Sequence, residues 1–214
     1  MRDDFEASGK RQRLINELRQ KGIADDNVLE AMSKIPRHLF IDNIFLSHAY
    51  VDKAFPIDSG QTISQPSTVA IQTTLLKVKE WDKILEIGTG SGYQSAVLAE
   101  MGAKVYTIER QRALYEKAQK TLKALGYKTI QFFYGDGYKG KPLYGPFDGI
   151  IITAAIKEIP QTLIDQLKVG GRLVAPIGQG DSQIMTCMEK QADGSCISKT
   201  YGDCAFVPML SGTK

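Results

Sequence analysis

The sequence contains few cysteines and histidines, and their positions argue against several kinds of site. Its three cysteines, Cys187, Cys196 and Cys204, form no C-x-x-C pair and have no histidine nearby. Because structural zinc sites need closely spaced thiolates and imidazoles, we expect no metal centre. The two histidines, His38 and His48, are interpreted as surface or hydrogen-bonded residues rather than as ligands or bases. An odd number of thiols favours a reducing compartment, so we expect a cytoplasmic protein.

The chain also lacks long apolar runs and dense clusters of charge. No hydrophobic stretch approaches the length of a membrane span, and Met1-Arg2-Asp3-Asp4 lacks the apolar segment of a secretory signal. The net charge of +3 is too weak to indicate nucleic-acid binding, and Lys10-Arg11-Gln12-Arg13 is interpreted as a solvated helix face. We therefore expect neither a membrane nor a nucleic-acid partner. A length of 214 residues, 43% of them hydrophobic, suits one compact α/β domain.

The most informative stretch is Lys83-Ile84-Leu85-Glu86-Ile87, which is followed by Gly88-Thr89-Gly90-Ser91-Gly92 and an apolar helical pattern. This order predicts a buried strand, a tight turn and a helix. Glycine permits positive φ and a close approach of ligand to backbone, and a helix N-terminus attracts polar ligand groups. A glycine-rich connection that binds nothing is the alternative. It is disfavoured because Glu86, the glycine spacing and a second acid downstream occur together.

The spacing of this motif distinguishes between nucleotide ligands. Its third glycine, Gly92, comes one position earlier than in the G-x-G-x-x-G fingerprint of dinucleotide-binding proteins. The next predicted strand ends at Glu109, where a carboxylate can accept hydrogen bonds from both ribose hydroxyls. Glu86 can face a ligand ammonium group. Ribose and ammonium without a pyrophosphate indicate S-adenosyl-L-methionine (SAM) rather than NAD, and the stretch resembles the nucleotide-binding motif of class I SAM-dependent methyltransferases.

Strands and helices alternate along most of the chain. Residues 10–35 predict two helices, the second ended by Pro36, and glycine pairs or Asp-Gly steps mark turns at 170–171 and 193–194. Helices are also predicted at 112–125 and 161–167, and strands at 129–133, 147–152, 172–176, 184–188, 197–201 and 205–210. This alternation predicts a Rossmann-like α/β fold: a central, mostly parallel, twisted sheet of about seven strands with helices on both faces and an N-terminal helical extension. We expect a single domain, with residues 1–60 as a helical cover and 61–214 as the SAM-binding core.

Two further polar segments lie where such a fold places ligands. Gly60-Gln61-Thr62-Ile63-Ser64-Gln65-Pro66 precedes a predicted helix with an apolar line at Ile71, Leu75 and Val78. From the local pattern, Ser64 or Gln65 is an N-cap, although a polar cluster at a helix N-terminus also suits a substrate carboxylate. Gly135-Asp136-Gly137 follows a predicted strand and can take an adenine amino group. In isolation it is typical of a surface turn.

In this order the segments resemble the protein-L-isoaspartate O-methyltransferase family. The glycine motif marks only the superfamily, whereas Thr62-Ile63-Ser64-Gln65-Pro66 and the block from Pro146 to Ala154-Ala155 are specific to the family. Gly170-Gly171-Arg172-Leu173 and Phe206-Val207-Pro208 extend the likeness, which covers residues 12–210. The tail departs from the pattern at Met209, where relatives usually have leucine, so the resemblance assigns no role to residues 209–211.

The resemblance implies methyl esterification of the free carboxyl of L-isoaspartyl residues in damaged proteins and peptides, with SAM as donor and S-adenosyl-L-homocysteine as product. This starts repair through a succinimide, and we expect a monomeric enzyme. Ser64 is implied as the active-site residue. The implied SAM-binding residues are Thr62, Ile63, Ser64, Glu86, Gly88, Thr89, Gly90, Gly92, Glu109, Arg110, Asp136 and Gly137. The implied substrate-binding residues are Gln61, Thr62, Ser64, Gln65 and Val207.

Three other functions remain open from the sequence. A methyltransferase for a small molecule or RNA would keep the SAM site and change residues 37–66. A non-catalytic SAM-binding module is disfavoured by the polar cluster at 61–66, and an NAD-dependent oxidoreductase by the early third glycine. The absence of an obvious general base fits methylation of a carboxylate, which is already ionised at neutral pH.

Overall fold

The computed structural model describes residues 4–214; Met1 to Asp3, where no secretory signal is expected, lie outside the described residues. The first helix begins after Asp4, whose carboxylate accepts a hydrogen bond from the Ala7 amide at 2.8 Å. The α-helices of this part of the chain are α1 (Phe5–Gln20), α2 (Asp26–Lys34), α3 (Pro66–Leu76), α4 (Tyr93–Glu100), α5 (Arg112–Ala124) and α6 (Gln161–Asp165). No helix within 4–214 is long and apolar enough to cross a bilayer.

The strands of the described chain form a short hairpin and one large sheet. They are β1 (Phe55–Pro56), β2 (Thr62–Ile63), β3 (Lys83–Ile87), β4 (Lys104–Glu109), β5 (Gln131–Tyr134), β6 (Phe147–Ile152), β7 (Leu167–Ile177), β8 (Gln183–Lys190) and β9 (Cys196–Cys204). The large sheet has the order β5-β4-β3-β6-β7-β8-β9, parallel from β5 to β7 and antiparallel at β8 and β9. Its strand β6 is central, and the predicted fold class is confirmed.

Alternate residues of the central strands enter two hydrophobic layers on opposite faces of the sheet. Ile84 and Ile151 belong to the layer that contains the buried residues of α1 to α4. Leu85 and Ile150 belong to the other layer, together with Leu163 of α6. A parallel sheet covered on both faces needs continuous apolar strands, which explains the Ile-rich segments of β3 and β6.

Several local boundaries follow the sequence signals. Helix α2 ends before Pro36, and α5 ends before Gly126, which adopts the left-handed conformation at φ +92°. The hairpin between β8 and β9 turns at Gly194, also at positive φ. Glycine relieves the steric cost of this conformation at both turns.

Two predictions about the C-terminal half were wrong. Gly170-Gly171 is not a turn between elements but lies inside β7, where the pairing with β6 shifts register between Phe147 and Gly149. A Cβ atom on Gly171 would lie 2.9 Å from the Asp148 carbonyl oxygen, so the bulge brings two backbones too close for a side chain. Residues 205–210 form no strand. Only an isolated bridge joins Ala155 to Pro208.

Two interpretations of helix faces also need correction. The predicted helix continues through Val78, but α3 ends at Leu76. Its apolar line packs half-buried against the core, and the fully buried side of the helix includes Val69, Ala70, Gln72, Thr73 and Leu76. Arg11 is buried rather than solvated, and its guanidinium lies 3.4 Å from the Tyr50 hydroxyl. The same hydroxyl lies 2.7 Å from Nδ1 of His38, so this histidine is hydrogen-bonded as expected, and His48 is exposed.

The segment after β9 is held by a buried side chain instead of a strand ladder. Gln183 accepts a hydrogen bond from the Phe206 amide at 2.8 Å and donates one to the Gly180 carbonyl at 2.7 Å. The ladder therefore ends at β9, and the chain from Phe206 onward turns toward the carboxyl ends of the parallel strands.

We expect Gln183→Leu to lower the free energy of unfolding by about 1–3 kcal/mol, because it leaves the Phe206 amide and the Gly180 carbonyl without partners. Urea unfolding measures this change, and hydrogen exchange at Phe206 should accelerate. The exposed Gln161→Leu is the control and should stay within about 0.5 kcal/mol of the parent. Unchanged exchange at Phe206 would contradict the proposed anchor.

Candidate active site

A cleft opens at the carboxyl ends of β3, β4 and β6, where open α/β sheets bind ligands. Its volume, including the part open to solvent, is about 830 Å³. The wall is formed by Gln61, Thr62, Ile63, Ser64, Val69, Ile87, Gly88, Thr89, Gly90, Ser91, Tyr93, Gln94, Ile108, Glu109, Arg110, Gly137, Thr153, Ala154, Val207, Pro208, Met209 and Leu210.

The glycine-rich loop forms the floor of the cleft. The Gly88 and Thr89 amides both donate to the Ile108 carbonyl, at 2.9 and 3.2 Å, which fixes the loop against β4. On the other side, the Thr153 hydroxyl donates to the Gly88 carbonyl at 2.6 Å. Gly88 has φ +98°, and a Cβ there would lie 2.5 Å from the Thr153 oxygen. Glycine is therefore required by both conformation and space.

Glu109 is a buried carboxylate on the cleft wall, at the end of β4. One oxygen accepts from the Gly90 amide at 2.9 Å, and the other accepts from the Gln111 amide at 2.8 Å. Each carboxylate oxygen can accept a second hydrogen bond. The carboxylate is thus held in one orientation and keeps acceptor capacity for a pair of hydroxyls, as the predicted ribose contact needs.

Glu86 lies at the end of β3 but beneath the cleft. It is fully buried, accepts a hydrogen bond from the Ser95 hydroxyl, and does not reach the wall. Burial raises the pKa of Glu86 to about 7, against the opposing effect of the Ser95 hydrogen bond. The structure therefore places Glu86 where it supports α4, and its contact with a ligand ammonium group stays a prediction.

The C-terminal segment closes the side of the cleft formed by β4 and β5. The Asp136 carboxylate accepts from the Tyr138 amide at 2.9 Å and from the Gly212 amide at 2.8 Å. Arg110 donates to the Gly212 carbonyl at 3.1 Å. Gly137 lines the cleft, whereas Asp136 stands behind it. The tail residues without an assigned role, Met209 and Leu210, prove to be part of the wall.

Ser64 lies on the wall at the entrance to α3, and its backbone is held by a buried cation. Arg37, with 1% of its surface exposed, donates to the Ser64 carbonyl at 2.9 Å and to the Ala49 carbonyl at 3.1 Å. Its guanidinium stacks 4.8 Å from the ring centre of Tyr93, another wall residue. Burial lowers the pKa of Arg37, since desolvation disfavours its charge. The cation thus joins the Ser64 turn to the start of α4.

The cap of α3 is supplied from a distance. Gln65 occupies the N-cap position, but its side chain accepts no hydrogen bond from the helix backbone, and the Ser67 amide donates instead to the Asp52 carboxylate at 2.8 Å. The Ser64 hydroxyl forms no hydrogen bond within residues 4–214. The interpretation of Ser64 or Gln65 as the capping side chain is therefore wrong, and the Ser64 hydroxyl is available to a ligand.

Most of the residues implied by the sequence lie on this wall, and four lie behind it. Glu86, Gly92, Asp136 and Gln65 do not line the cleft; Gln65 donates to the Ser67 hydroxyl at 2.7 Å. A Cβ on Gly92 would lie 2.7 Å from a methyl group of Leu122, so that glycine serves the packing of α4 on α5. Sequence reasoning missed several wall residues, chiefly Val69, Ser91, Tyr93, Gln94, Thr153 and Ala154. The family-specific block ending in Ala154-Ala155 was the signal for the last two.

The donors and acceptors of the cleft fit an adenosyl amino-acid ligand. Glu109 offers a fixed carboxylate for two hydroxyls, and Gly90 and Gly137 line the cleft without side chains. The amide oxygen of Gln94, a wall residue, is buried and has no partner in the described chain.

Comparison with known proteins gives a consistent result. The profile of the protein-L-isoaspartate(D-aspartate) O-methyltransferase family matches residues 9–214. The protein-L-isoaspartate O-methyltransferase of Christiangramia forsetii is 53% identical over 210 residues, 98% of each chain. A solved protein-L-isoaspartate O-methyltransferase has a TM-score of 0.85 at 30% identity over 92% of this chain, which spans 65% of that longer chain. The Plasmodium falciparum structure in complex with S-adenosyl-L-homocysteine has a TM-score of 0.82 at 26% identity, covering 94% and 98% of the two chains.

Removing the remote cap should destabilise the fold more than removing the Ser64 hydroxyl. We expect Asp52→Ala to lower the free energy of unfolding by about 0.5–2 kcal/mol, since the Ser67 amide loses its acceptor. Ser64→Ala, the matched comparison, should change it by less than about 0.5 kcal/mol. Chemical denaturation of both variants measures the difference. If Ser64→Ala lowered the free energy of unfolding more than Asp52→Ala does, Ser64 and not Asp52 would be the capping residue.

The raised pKa of Glu86 makes stability depend on pH. Between the ordinary glutamate value and about 7, the folded state binds more protons than the unfolded chain, so the free energy of unfolding falls as pH rises. We expect Glu86→Gln to remove this dependence, so that the variant gains roughly 2–3 kcal/mol relative to the parent between pH 5 and pH 8. Urea unfolding at both pH values measures it. A difference that is constant with pH would show that Glu86 does not titrate in this range.

Proposed function

The chain belongs to the protein-L-isoaspartate(D-aspartate) O-methyltransferase family, and from that premise we propose how its cleft performs the family's reaction. The enzyme methylates the free α-carboxyl group of L-isoaspartyl residues in damaged proteins and peptides (EC 2.1.1.77). When bound, SAM supplies a methyl group activated by its sulfonium sulfur. The observation that carries our assignment of roles is the convergence of Glu109, the Gly88–Gly90 loop and Ser64 on one cleft.

In this reaction the protein must align the two reactants, and it does not need to transfer a proton. The substrate carboxylate is already ionised at neutral pH, so no general base is needed. Holding two reactants close together in the reactive orientation lowers the activation barrier of the reaction by up to several kcal/mol. We propose that Glu109 and the glycine loop fix the adenosine part of the donor, while Gly137 and the tail exclude water.

We propose that the Ser64 hydroxyl donates a hydrogen bond that orients the substrate carboxylate. Its lack of any partner within residues 4–214 and its place on the wall support this role. Gln61, Thr62 and Val207 lie on the same wall and are proposed to contact the substrate backbone. Gln65 would act indirectly, because its amide is bonded to Ser67.

Methylation prepares a repair that the substrate completes by itself. An isoaspartyl residue continues the chain through its side-chain carboxyl, so its α-carboxylate is free. Once this group is an ester, the neighbouring backbone nitrogen displaces the methoxy group and closes a succinimide. Hydrolysis of that ring returns part of the material to normal aspartate.

The remaining expectations are also proposals. We propose that residues 1–60 cover the core formed by 61–214, since α1 and α2 pack into the same hydrophobic layer as α3 and α4. A cytoplasmic location is supported by three free thiols, Cys187, Cys196 and Cys204. The net charge of +3 supports the lack of a nucleic-acid partner. The monomeric state stays a prediction.

We expect transfer of labelled methyl from SAM to an isoaspartyl peptide and none to the peptide with normal aspartate at the same place. Ser64→Ala should lower kcat/KM by about 10- to 100-fold, the loss expected for one hydrogen bond to a charged group. Scintillation counting of the methyl ester measures both. Ser195→Ala, in the distant hairpin between β8 and β9, is the control and should keep full activity. Equal labelling of the two peptides would refute the assigned substrate.

A further inference from the structure

Gln94, in the first turn of α4, lines the cleft and carries a buried acceptor without a partner in the described chain. Its side chain is on the wall, yet only 7% of the residue is exposed. The amide oxygen Oε1 has no hydrogen-bond partner within residues 4–214. Leaving a buried amide oxygen unpaired is destabilising, so its presence in a residue of the cleft wall points to a donor brought by the ligand.

The orientation of this amide is fixed from behind. Gln94 Nε2 donates to the Thr73 hydroxyl oxygen at 2.9 Å, and the Thr73 hydroxyl donates to the Val69 carbonyl at 2.8 Å. Because the single hydroxyl proton of Thr73 is used in that second bond, its oxygen acts as the acceptor for Gln94. The amide nitrogen therefore faces α3, and Oε1, the other end of the amide, is the buried atom left without a partner in the described chain.

The position of Gln94 identifies which part of the donor it meets. Glu109, which holds the ribose in the proposed function, ends β4 on one side of β3. Helix α3 packs over β6 and β7 on the other side, and Gln94 is bonded to this helix. A ligand whose ribose lies at the tip of β4 and whose sulfur approaches Ser64 must therefore direct its amino-acid end toward the α3 side.

We propose that Gln94 Oε1 accepts a hydrogen bond from the α-ammonium group of the methionine part of SAM, and from the same group of S-adenosyl-L-homocysteine. An ammonium group offers three donors and a positive charge, which suit a fixed amide oxygen. Glu86, the residue that the motif suggested for this contact, is shut beneath the loop. This assignment rests on the proposed function for the placing of the ligand.

The test compares two ligands that differ only in this group. Isothermal titration calorimetry measures the affinity for S-adenosyl-L-homocysteine and for its analogue with hydrogen in place of the α-amino group. The parent protein should prefer the amino compound. Gln94→Met, of similar volume, should reduce that preference by about tenfold and leave the affinity for the deamino analogue within about twofold.

Two further variants keep the test decisive. Gln94→Glu retains an acceptor oxygen and should retain the preference, including in the case that the methionine variant does not fold. Gln72→Met, which replaces a buried glutamine of α3 that bonds the Ile152 carbonyl and does not line the cleft, should also retain it.

Two outcomes would overturn the assignment. These are an unchanged preference in Gln94→Met, with or without an equal loss of affinity for both ligands, and loss of the preference in Gln94→Glu. Unchanged affinity for both ligands with a raised KM for the isoaspartyl peptide would assign Gln94 to the peptide instead. Since calorimetry uses no methyl acceptor, a failure of the proposed function would appear separately, as binding without methylation of the isoaspartyl peptide.

Discussion

The carbonyl oxygen of Ile108 is the point on which the binding loop depends. It accepts the amides of both Gly88 and Thr89, so the chain leaving β3 must bend over the end of β4. Glu109 follows directly and accepts the Gly90 amide, which secures the next step of the same loop. Thr153, after β6, closes the loop from the other side. The site is thus fixed by neighbouring strands rather than by the loop itself, and parallel pairing of β4, β3 and β6 is its precondition.

The Ser64 wall depends on the N-terminal region in a comparable way. Arg37 and Asp52 hold the two ends of the turn from Ser64 to Ser67 through backbone hydrogen bonds. A buried guanidinium that bonds mainly carbonyl groups carries a desolvation cost that a hydrophobic residue would avoid. What Arg37 provides in return for this cost is positioning, since the same guanidinium stacks on Tyr93 at the start of α4. The Ser64 turn and the start of α4 are therefore positioned by one side chain.

Sequence reasoning captured the parts of this arrangement that periodicity and motif spacing encode. The apolar runs of β3 and β6, the glycine loop and the acid that ends β4 all follow local rules, and their places in the fold agree with the prediction, while their ligand contacts stay predictions. Interactions between distant segments carry no such signal. Asp52 caps α3 from 15 residues away, and Gln183 holds Phe206 in place of a strand. The pair Gly170-Gly171 has the composition of a turn, but its function is to admit the backbone of Asp148.

The two glutamates at the ends of β3 and β4 show why residue type and strand position do not decide a role. Glu109 receives two backbone amides, stays oriented and opens onto the cleft. Glu86 receives the Ser95 hydroxyl in a fully buried place, where desolvation raises its pKa to about 7. Because the pKa of this buried carboxyl group is near neutral pH, Glu86 is only partly ionised there. It joins β3 to α4 without placing a full charge in the core. Because α4 carries Tyr93 and Gln94 to the cleft wall, Glu86 is connected to that wall through the helix it supports, whereas Glu109 lies on the wall itself.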